Sequence, residues 1–195
     1  MLPIQSNQEY LEKDFNSLEI LKGNISTIEF SDCIFNKCNF SDTVFTSCVF
    51  ERCIFRNSNL SNIKLPNCKF IDSKFENCKI IGIDWKTVRT EMGLTLDCTK
   101  CDLSYSLFSG INLSESIFNE CKIYESDFSD SILRKSTFKN SDFLRTKFFN
   151  TDLRDCDFTE SKNYFFNPGE NKCKGSKFNH PEVLSLLESF GIKVE

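Results

Sequence analysis

Large apolar side chains recur along this chain every five residues. From Phe15 they fall at Ile20, Ile25, Phe30, Phe35, Phe40, Phe45, Phe50, Phe55, Leu60, Leu65, Phe70, Phe75, Ile80 and Trp85. The beat then breaks and resumes from Leu103 through Phe108, Leu113, Phe118 and their successors to Phe158. A period of five fits neither the 3.6 of an amphipathic helix nor the 2 of a half-buried strand, so it marks an internal repeat. Two residues before each large side chain sits a second, mostly small set, such as Cys33, Cys38, Thr43 and Cys48 in the first block and Ser126, Ser131, Ser136 and Ser141 in the second. Residues two apart on an extended chain face the same side. Each unit therefore points one large and one small side chain inward and sets the residue between them outward. Two polar residues remain for a corner rich in Ser, Asn, Asp and Thr.

A chain that turns a corner every five residues must coil. Coils stacked about 4.8 Å apart bury a continuous core and satisfy backbone groups between neighbours. The expected fold class is an all-β solenoid forming a single domain. Its expected parts are an N-terminal cap over 1–14, a first repeat block over 15–85, an interruption over 86–97, a second block over 98–161 and an irregular segment with a capping helix over 162–195. The interruption follows from arithmetic: Trp85 to Leu103 is a step of 18, not a multiple of five. The segment Lys86 to Asp97 is then a loop or distorted coil, either a tolerated surface insertion or a contact loop. Loops carried by rigid scaffolds are where recognition tends to sit, and Lys86, Arg89, Glu91 and Met92 are its candidate contacts.

At the C-terminal end His180-Pro181-Glu182 predicts a short helix with Pro in its first turn and Asn179 or His180 as cap, stopped by Gly191. One side of that helix covers the open end of the solenoid, as solenoids require. The rest, with Val183, Leu184, Leu187, Phe190 and a short edge strand at Ile192 and Val194, predicts an isologous contact with a second copy.

The unit itself, as in CNFSD (Cys38 to Asp42) or SDFSD (Ser126 to Asp130), resembles the pentapeptide-repeat family. That resemblance implies a right-handed quadrilateral β-helix with four units per coil, so that residues 20 apart stack: Phe35 over Phe55 over Phe75, Phe118 over Phe138 over Phe158. The stretch Ile81-Gly82-Ile83-Asp84-Trp85 before the interruption and the Phe178-Asn179 tail after the irregular stretch Asn163 to Lys177 are similar to the topoisomerase-protecting members, the quinolone-resistance and the albicidin and microcin immunity proteins. Those relatives are dimers that bind DNA gyrase, and their acidic rod is thought to mimic B-form DNA. The resemblance implies the same class of partner, and homodimerisation through the C-terminus.

Composition sharpens this picture. The 21 Phe against four Tyr and one Trp are what stacked aromatic columns would use, each stacked pair contributing roughly 0.5–1.5 kcal/mol beyond burial. Of the 11 Cys, Cys33, Cys38, Cys48, Cys53, Cys68, Cys78, Cys101, Cys121 and Cys156 occupy the small inward position. They read as small buried residues rather than zinc ligands, which must converge four at a time. Cys98 and Cys101 form a lone C-x-x-C, and stacked pairs such as Cys33 with Cys53 are expected to stay reduced in a cytoplasmic protein.

The net charge of −4 lacks the basic excess of a nucleic-acid binder. Glu115, Glu120, Glu125 and Asp130 lie on four successive corners, with Asp155 and Glu160 beyond, and form the candidate acidic surface. Columns of alternating sign, such as Asp32–Arg52–Asp72, Glu115–Lys135–Asp155, Glu125–Arg145 and Asp127–Lys147, predict ion pairs between coils. The single histidine, His180, sits beside the helix cap, and no nucleophile–base set, metal motif or phosphate-cradling loop is present. No apolar run reaches membrane-spanning length. The sequence thus predicts a cytoplasmic, non-catalytic rod with no cofactor, no small-molecule substrate and no direct nucleic-acid contact. Its expected partner is a type II topoisomerase; the alternative is a scaffold for an unrelated protein.

Overall fold

A computed structural model describes residues 4–91 and 93–193. The chain winds as a four-sided parallel solenoid whose strands are only three residues long, because each side of the coil holds a single five-residue unit. The strands Glu9–Leu11, Glu29–Ser31, Val49–Glu51 and Lys69–Ile71 make the first face, with Tyr10 opposite Phe30, Phe30 opposite Phe50 and Phe50 opposite Phe70. On the second face Asp14–Asn16, Ile34–Asn36, Ile54–Arg56, Lys74–Glu76, Asp97–Thr99 and Ile117–Asn119 follow one another. The third face is joined by isolated parallel bridges such as Asn39 to Asn59 and Lys122 to Asp142. The fourth face joins Asn24–Ser26 to Val44–Thr46 and continues as bridges through Leu107, Asp127 and Lys147. The ladder starts before Phe15: Tyr10, within the stretch read as a cap, stacks on Phe30 with ring centroids 5.3 Å apart.

Like lies over like inside. Phe15, Phe35, Phe55 and Phe75 form one column with centroids 5.0, 4.7 and 5.0 Å apart and rings within 10° of parallel. In the second block Phe118, Phe138, Phe158 and Phe178 continue that column at 5.4, 4.8 and 5.2 Å. Around the coil, neighbouring columns meet edge to face, as at Phe30 with Phe35 and Phe138 with Phe143. Both geometries suit the ring quadrupole.

The small inward position proves to be chosen for polarity as well as size. Ser141 Oγ donates to the Phe118 carbonyl at 2.6 Å and accepts from the Cys121 amide at 2.8 Å. Ser58 does the same for Phe35 and Cys38. The hydroxyl thus pairs two backbone groups of the preceding coil, which would otherwise lie buried next to the core without a partner. Each of the nine inward-column thiols likewise donates to a carbonyl of the preceding coil, for example Cys53 to Phe30 and Cys121 to Cys98, both at 3.4 Å. Reading these cysteines as merely small and apolar missed this donor role. All 11 cysteines are free. Burial pushes the Cys156 thiol up to about 12 and that of Cys98 well above its ordinary value, so neither is a thiolate at neutral pH.

Most corners among the described residues turn on a residue in the left-handed region, the non-glycine ones running at φ 49–64°, while Trp85–Thr87 and Pro168–Glu170 turn as short 3-10 helices. Asn and Asp visit this region cheaply, but Arg52, Lys135 and Glu120 also adopt it at roughly 1–2 kcal/mol each. The ladder holds them there, because the corner amide donates to the next coil, as from Glu120 to Lys139 at 2.8 Å. Outward Asp and Asn residues brace the same corners. Asp102 accepts from both the amide and the hydroxyl of Ser104, and Asn59 from those of Ser61.

The interruption adds three residues to one coil. Phe75 pairs with Cys98, a step of 23, before Cys98 pairs with Phe118 at the usual 20. The extra length sits on the first face. The ladder runs to Arg89, whose amide donates to the Cys68 carbonyl at 2.8 Å, and resumes at Leu94, which donates to Asn112 at 3.0 Å. Between them the Gly93 amide closes a turn on the Thr90 carbonyl at 2.8 Å, with Gly93 at φ 86°. Val88, Leu94 and Leu96 remain buried, so much of the segment is wall rather than free loop.

The C-terminal helix is a 3-10 helix, Glu182–Phe190, ended by Gly191 at φ 72°. The capping expectation is corrected. Pro181 occupies the cap position, its ring offers no acceptor, and no side chain caps the first turn. The Asn179 side chain instead accepts from the Glu160 amide of the preceding coil at 2.9 Å.

Phe128 stacks at 4.5 Å on Phe108 and at 5.4 Å on Phe148, and it is fully buried. Phe128→Ala is expected to cost about 3–5 kcal/mol, read as a shift in the urea midpoint with little change in slope. A loss under about 1 kcal/mol would show that the column does not carry the fold.

Candidate partner-binding surfaces

The core occupies every inward position, so recognition must use the walls, the interruption and the two ends. In the interruption Lys86, Arg89 and Glu91 are exposed, and Arg89 Nε lies 3.4 Å from Glu91 Oε1. The fourth candidate, Met92, lies outside the described residues. The segment therefore presents an internally balanced ion pair on the first face.

The acidic belt is largely compensated. Glu115 faces Lys135 at 3.4 Å, Glu120 faces Lys100 at 3.7 Å and Glu125 faces Arg145 at 3.6 Å. Asp130 accepts from the Asn150 side chain at 2.7 Å. Asp155 and Glu160 are exposed, and no ion pair holds either among the described residues. Arg52 grips Asp32 with two hydrogen bonds, at 2.8 and 2.7 Å. The Asp127–Lys147 pair expected from the column is not among the ion pairs of the described residues. Other pairs use an offset of 18, such as Arg134 with Asp152 at 2.7 Å and Lys139 with Asp157 at 3.4 Å.

Uncompensated acid collects at the N-terminal end. Residues 1–46 carry seven acids against three lysines, a balance of −4 that equals the net charge of the whole chain. Of these acids Asp32 alone has an ion-pair partner among the described residues. Glu9 lies directly opposite Glu29 in the parallel register. These coils also border the open edge of the solenoid, where charge discourages pairing with another chain's strands. The same acids thus serve as an edge guard and as the strongest negative surface of the rod.

At the C-terminal end the predicted contact residues divide. Val183 packs against the core and Leu186 beside it is buried, while Leu184 and Leu187 are half-buried. Phe190 and Ile192 are 55% and 49% exposed. Val194 lies outside the described residues. Three exposed aromatics were missed in the sequence: Tyr105, 58% exposed, and Phe149 and Phe165, each 55% exposed. Phe149 had left a signal: it follows the core residue Phe148 at a position that is Ser109 and Ser129 in the two preceding coils. Phe165 falls in the irregular stretch, where the period gives no register.

Among the described residues no group of three or more His, Cys, Asp or Glu side chains is arranged to hold a metal ion. No helix among them is long and apolar enough to cross a membrane.

A four-sided parallel solenoid of five-residue units defines a repeat protein whose variable surface is carried on an invariant frame. The chain belongs to the pentapeptide-repeat family. The model described as the pentapeptide repeat region matches residues 28–93, and that for pentapeptide repeats matches 97–134 and 133–162. Among solved structures it is similar to a trypsin-treated form of QnrB1, described as a plasmid-mediated fluoroquinolone resistance protein. The identity is 17% over 98% of this chain and 100% of that one, with a TM-score of 0.75. Full-length QnrB1 gives 18% identity, 94% and 100% coverage and a TM-score of 0.54. HetL, a pentapeptide-repeat protein involved in heterocyst differentiation regulation from the cyanobacterium Nostoc sp. strain PCC 7120, gives 12% identity, 86% and 85% coverage and 0.64. At these identities the likeness is one of fold. No curated protein matches the chain.

Burial works against the Asp157 carboxyl, yet the hydroxyl and amide of Thr159 and the Lys139 ammonium hold its pKa below the ordinary value. A carboxyl lowered in the folded state stabilises above the unfolded value of about 4 and loses that contribution as pH falls through the native pKa. Asp157→Asn is therefore expected to be less stable than wild type at pH 6, with the gap closing as pH falls below the ordinary carboxylate value of about 4 and through the lowered native one. A gap that stays constant from pH 6 to that range would contradict the assignment.

Proposed function

We propose that this chain is a non-catalytic, cytoplasmic binding protein that engages DNA gyrase or a related type II topoisomerase, partly as a DNA mimic, and protects it from a poison. It acts as a homodimer joined near its C-terminus. The observation that carries this reading is the pairing of a rigid solenoid, interrupted on one face, with an N-terminal end that holds all of the chain's net negative charge. A DNA-binding groove is built to receive regularly spaced anions on a stiff rod, and coils about 4.8 Å apart supply both stiffness and spacing. The fold-level likeness to a plasmid-mediated fluoroquinolone resistance protein over nearly the whole of both chains supports a role in resistance to such a drug. The acidic contact is placed at Glu9, Glu12, Asp14, Glu19 and Glu29, with Asp155 and Glu160 as a second anionic site. Glu115, Glu120, Glu125 and Asp130 contribute mainly to cohesion between coils.

A second reading has one observation in its favour. Ion pairing across the belt makes most of the wall nearly neutral, as suits a scaffold for an unrelated protein partner. Supercoiling assays with purified gyrase and a fluoroquinolone separate the two. Wild-type protein is expected to restore supercoiling in the presence of the drug. Deleting residues 90–92, which returns the wide coil to a 20-residue step, is expected to abolish protection while preserving the circular dichroism spectrum. Supercoiling that wild type leaves unchanged, with and without drug, favours the scaffold.

A further inference from the structure

We infer that the fourth face holds a small-molecule slot, at an opened bridge between Lys64 and Asp84, whose ligand is a neutral carboxamide carried on an apolar body. The slot is independent of the topoisomerase reading. Along this face each outward residue bridges the one in the next coil: Val44 to Lys64, Asp84 to Leu107, Leu107 to Asp127 and Asp127 to Lys147. Such a bridge consists of two hydrogen bonds. The Lys64 amide donates to the Thr43 carbonyl and the Phe45 amide to the Lys64 carbonyl, both at 2.9 Å. One coil later the equivalent pair, Asp84 to Ile63 and Leu65 to Asp84, is not made among the described residues.

The cause is local. The Asp84 carbonyl is turned into the short 3-10 helix Trp85–Thr87, where it accepts from Thr87 Oγ1 at 2.8 Å. The coils still meet on either side, through the Asn62 amide on the Ile81 carbonyl at 2.8 Å and the Asn67 amide on the Thr87 carbonyl at 2.9 Å. Opened in the middle and closed at both ends, the wall forms a slot of about 440 Å³ lined by Val44, Ile63, Lys64, Pro66, Asp84 and Thr87. That volume lies in the small-molecule range, and the closed ends stop a peptide strand from threading through.

The open bridge selects the ligand's head. It leaves the Asp84 amide as a donor and the Ile63 carbonyl as an acceptor, one from each coil, with no partner among the described residues. Backbone groups left unpaired beside a core are costly. A carboxamide carries an acceptor and a donor on adjacent atoms and so replaces the missing peptide group. A carboxylate serves only the donor and meets the Asp84 carboxylate. An ammonium serves only the acceptor and meets Lys64. Both of those side chains line the slot. Val44 and Pro66 supply apolar walls, and Leu107, 43% exposed, extends them beside Asp84 on the next coil.

Amide NMR spectra of the full chain, titrated with benzamide, test this. The Asp84 and Leu65 signals are expected to shift saturably, with a dissociation constant of about 1 mM, the scale for a ligand of this size. Benzoate, which lacks the donor, and acetamide, which lacks the apolar body, are each expected to bind at least about 10-fold more weakly. Val44→Trp, at a half-buried wall position, is expected to weaken benzamide at least about 10-fold while signals from the other three faces stay in place. No saturable shift up to about 20 mM benzamide overturns the slot. Benzoate that binds as tightly overturns selection of an amide. Acetamide that binds as tightly assigns the opening to an asparagine-like head and overturns the apolar body.

Discussion

The structure depends on one constraint: each five-residue unit must put its large side chain directly over the one 20 residues earlier. The parallel register delivers this, and the stacked phenylalanines sit within about 5.4 Å of one another on both sides of the interruption, with Trp85 and Phe108 at 6.0 Å across it. Most other features follow from that registration. Corners accept left-handed backbone at lysine, arginine and glutamate because the ladder fixes the corner amide. Serine or cysteine lines the inside of the corner because a backbone amide and carbonyl of the preceding coil must be paired where no strand reaches them. Even the three extra residues of the wide coil are absorbed without losing the column, with Cys98 standing between Phe75 and Phe118.

A frame so fully specified from inside leaves its outer positions free to vary. The chain uses most of them for cohesion, placing opposite charges on successive coils. Exposed pairs contribute little individually, about 0–1 kcal/mol, but some are lost when the register slips: one unit out, Asp32 would face Ser47 or Asn57 instead of Arg52. The departures from this scheme are local: uncompensated acid on the first coils, three more residues in the wide coil with an open bridge beside them, and exposed aromatics near the C-terminus. Recognition is assigned to these three places because the frame does not require them.

How much of this was legible in the sequence depended on whether a feature obeys the repeat. The core columns were readable from Phe15 to Phe158, because period and phase together fix which side chains turn inward. The stacking step of 20 came from family resemblance, since spacing alone does not say how many units close a coil. Ion partners were readable for Lys135 and Arg145 but not for Arg134 or Lys139, whose long side chains reach an acid at an offset of 18. The donor role of the thiols was hidden because it depends on a carbonyl in another coil. The exposed aromatic wall was missed because Phe149 resembles its buried neighbour Phe148, and only its position within the unit tells them apart. The capping of the last helix was misread because Pro181 stands just before the helix rather than inside it.

The account of function reduces to a stiff acidic rod occupying a groove made for DNA. Competition binding tests it directly: immobilised gyrase holoenzyme, this chain in solution, and duplex DNA added in steps. The account predicts saturable binding that DNA displaces and that weakens as salt rises. Absence of binding, or binding that DNA leaves untouched, would contradict it.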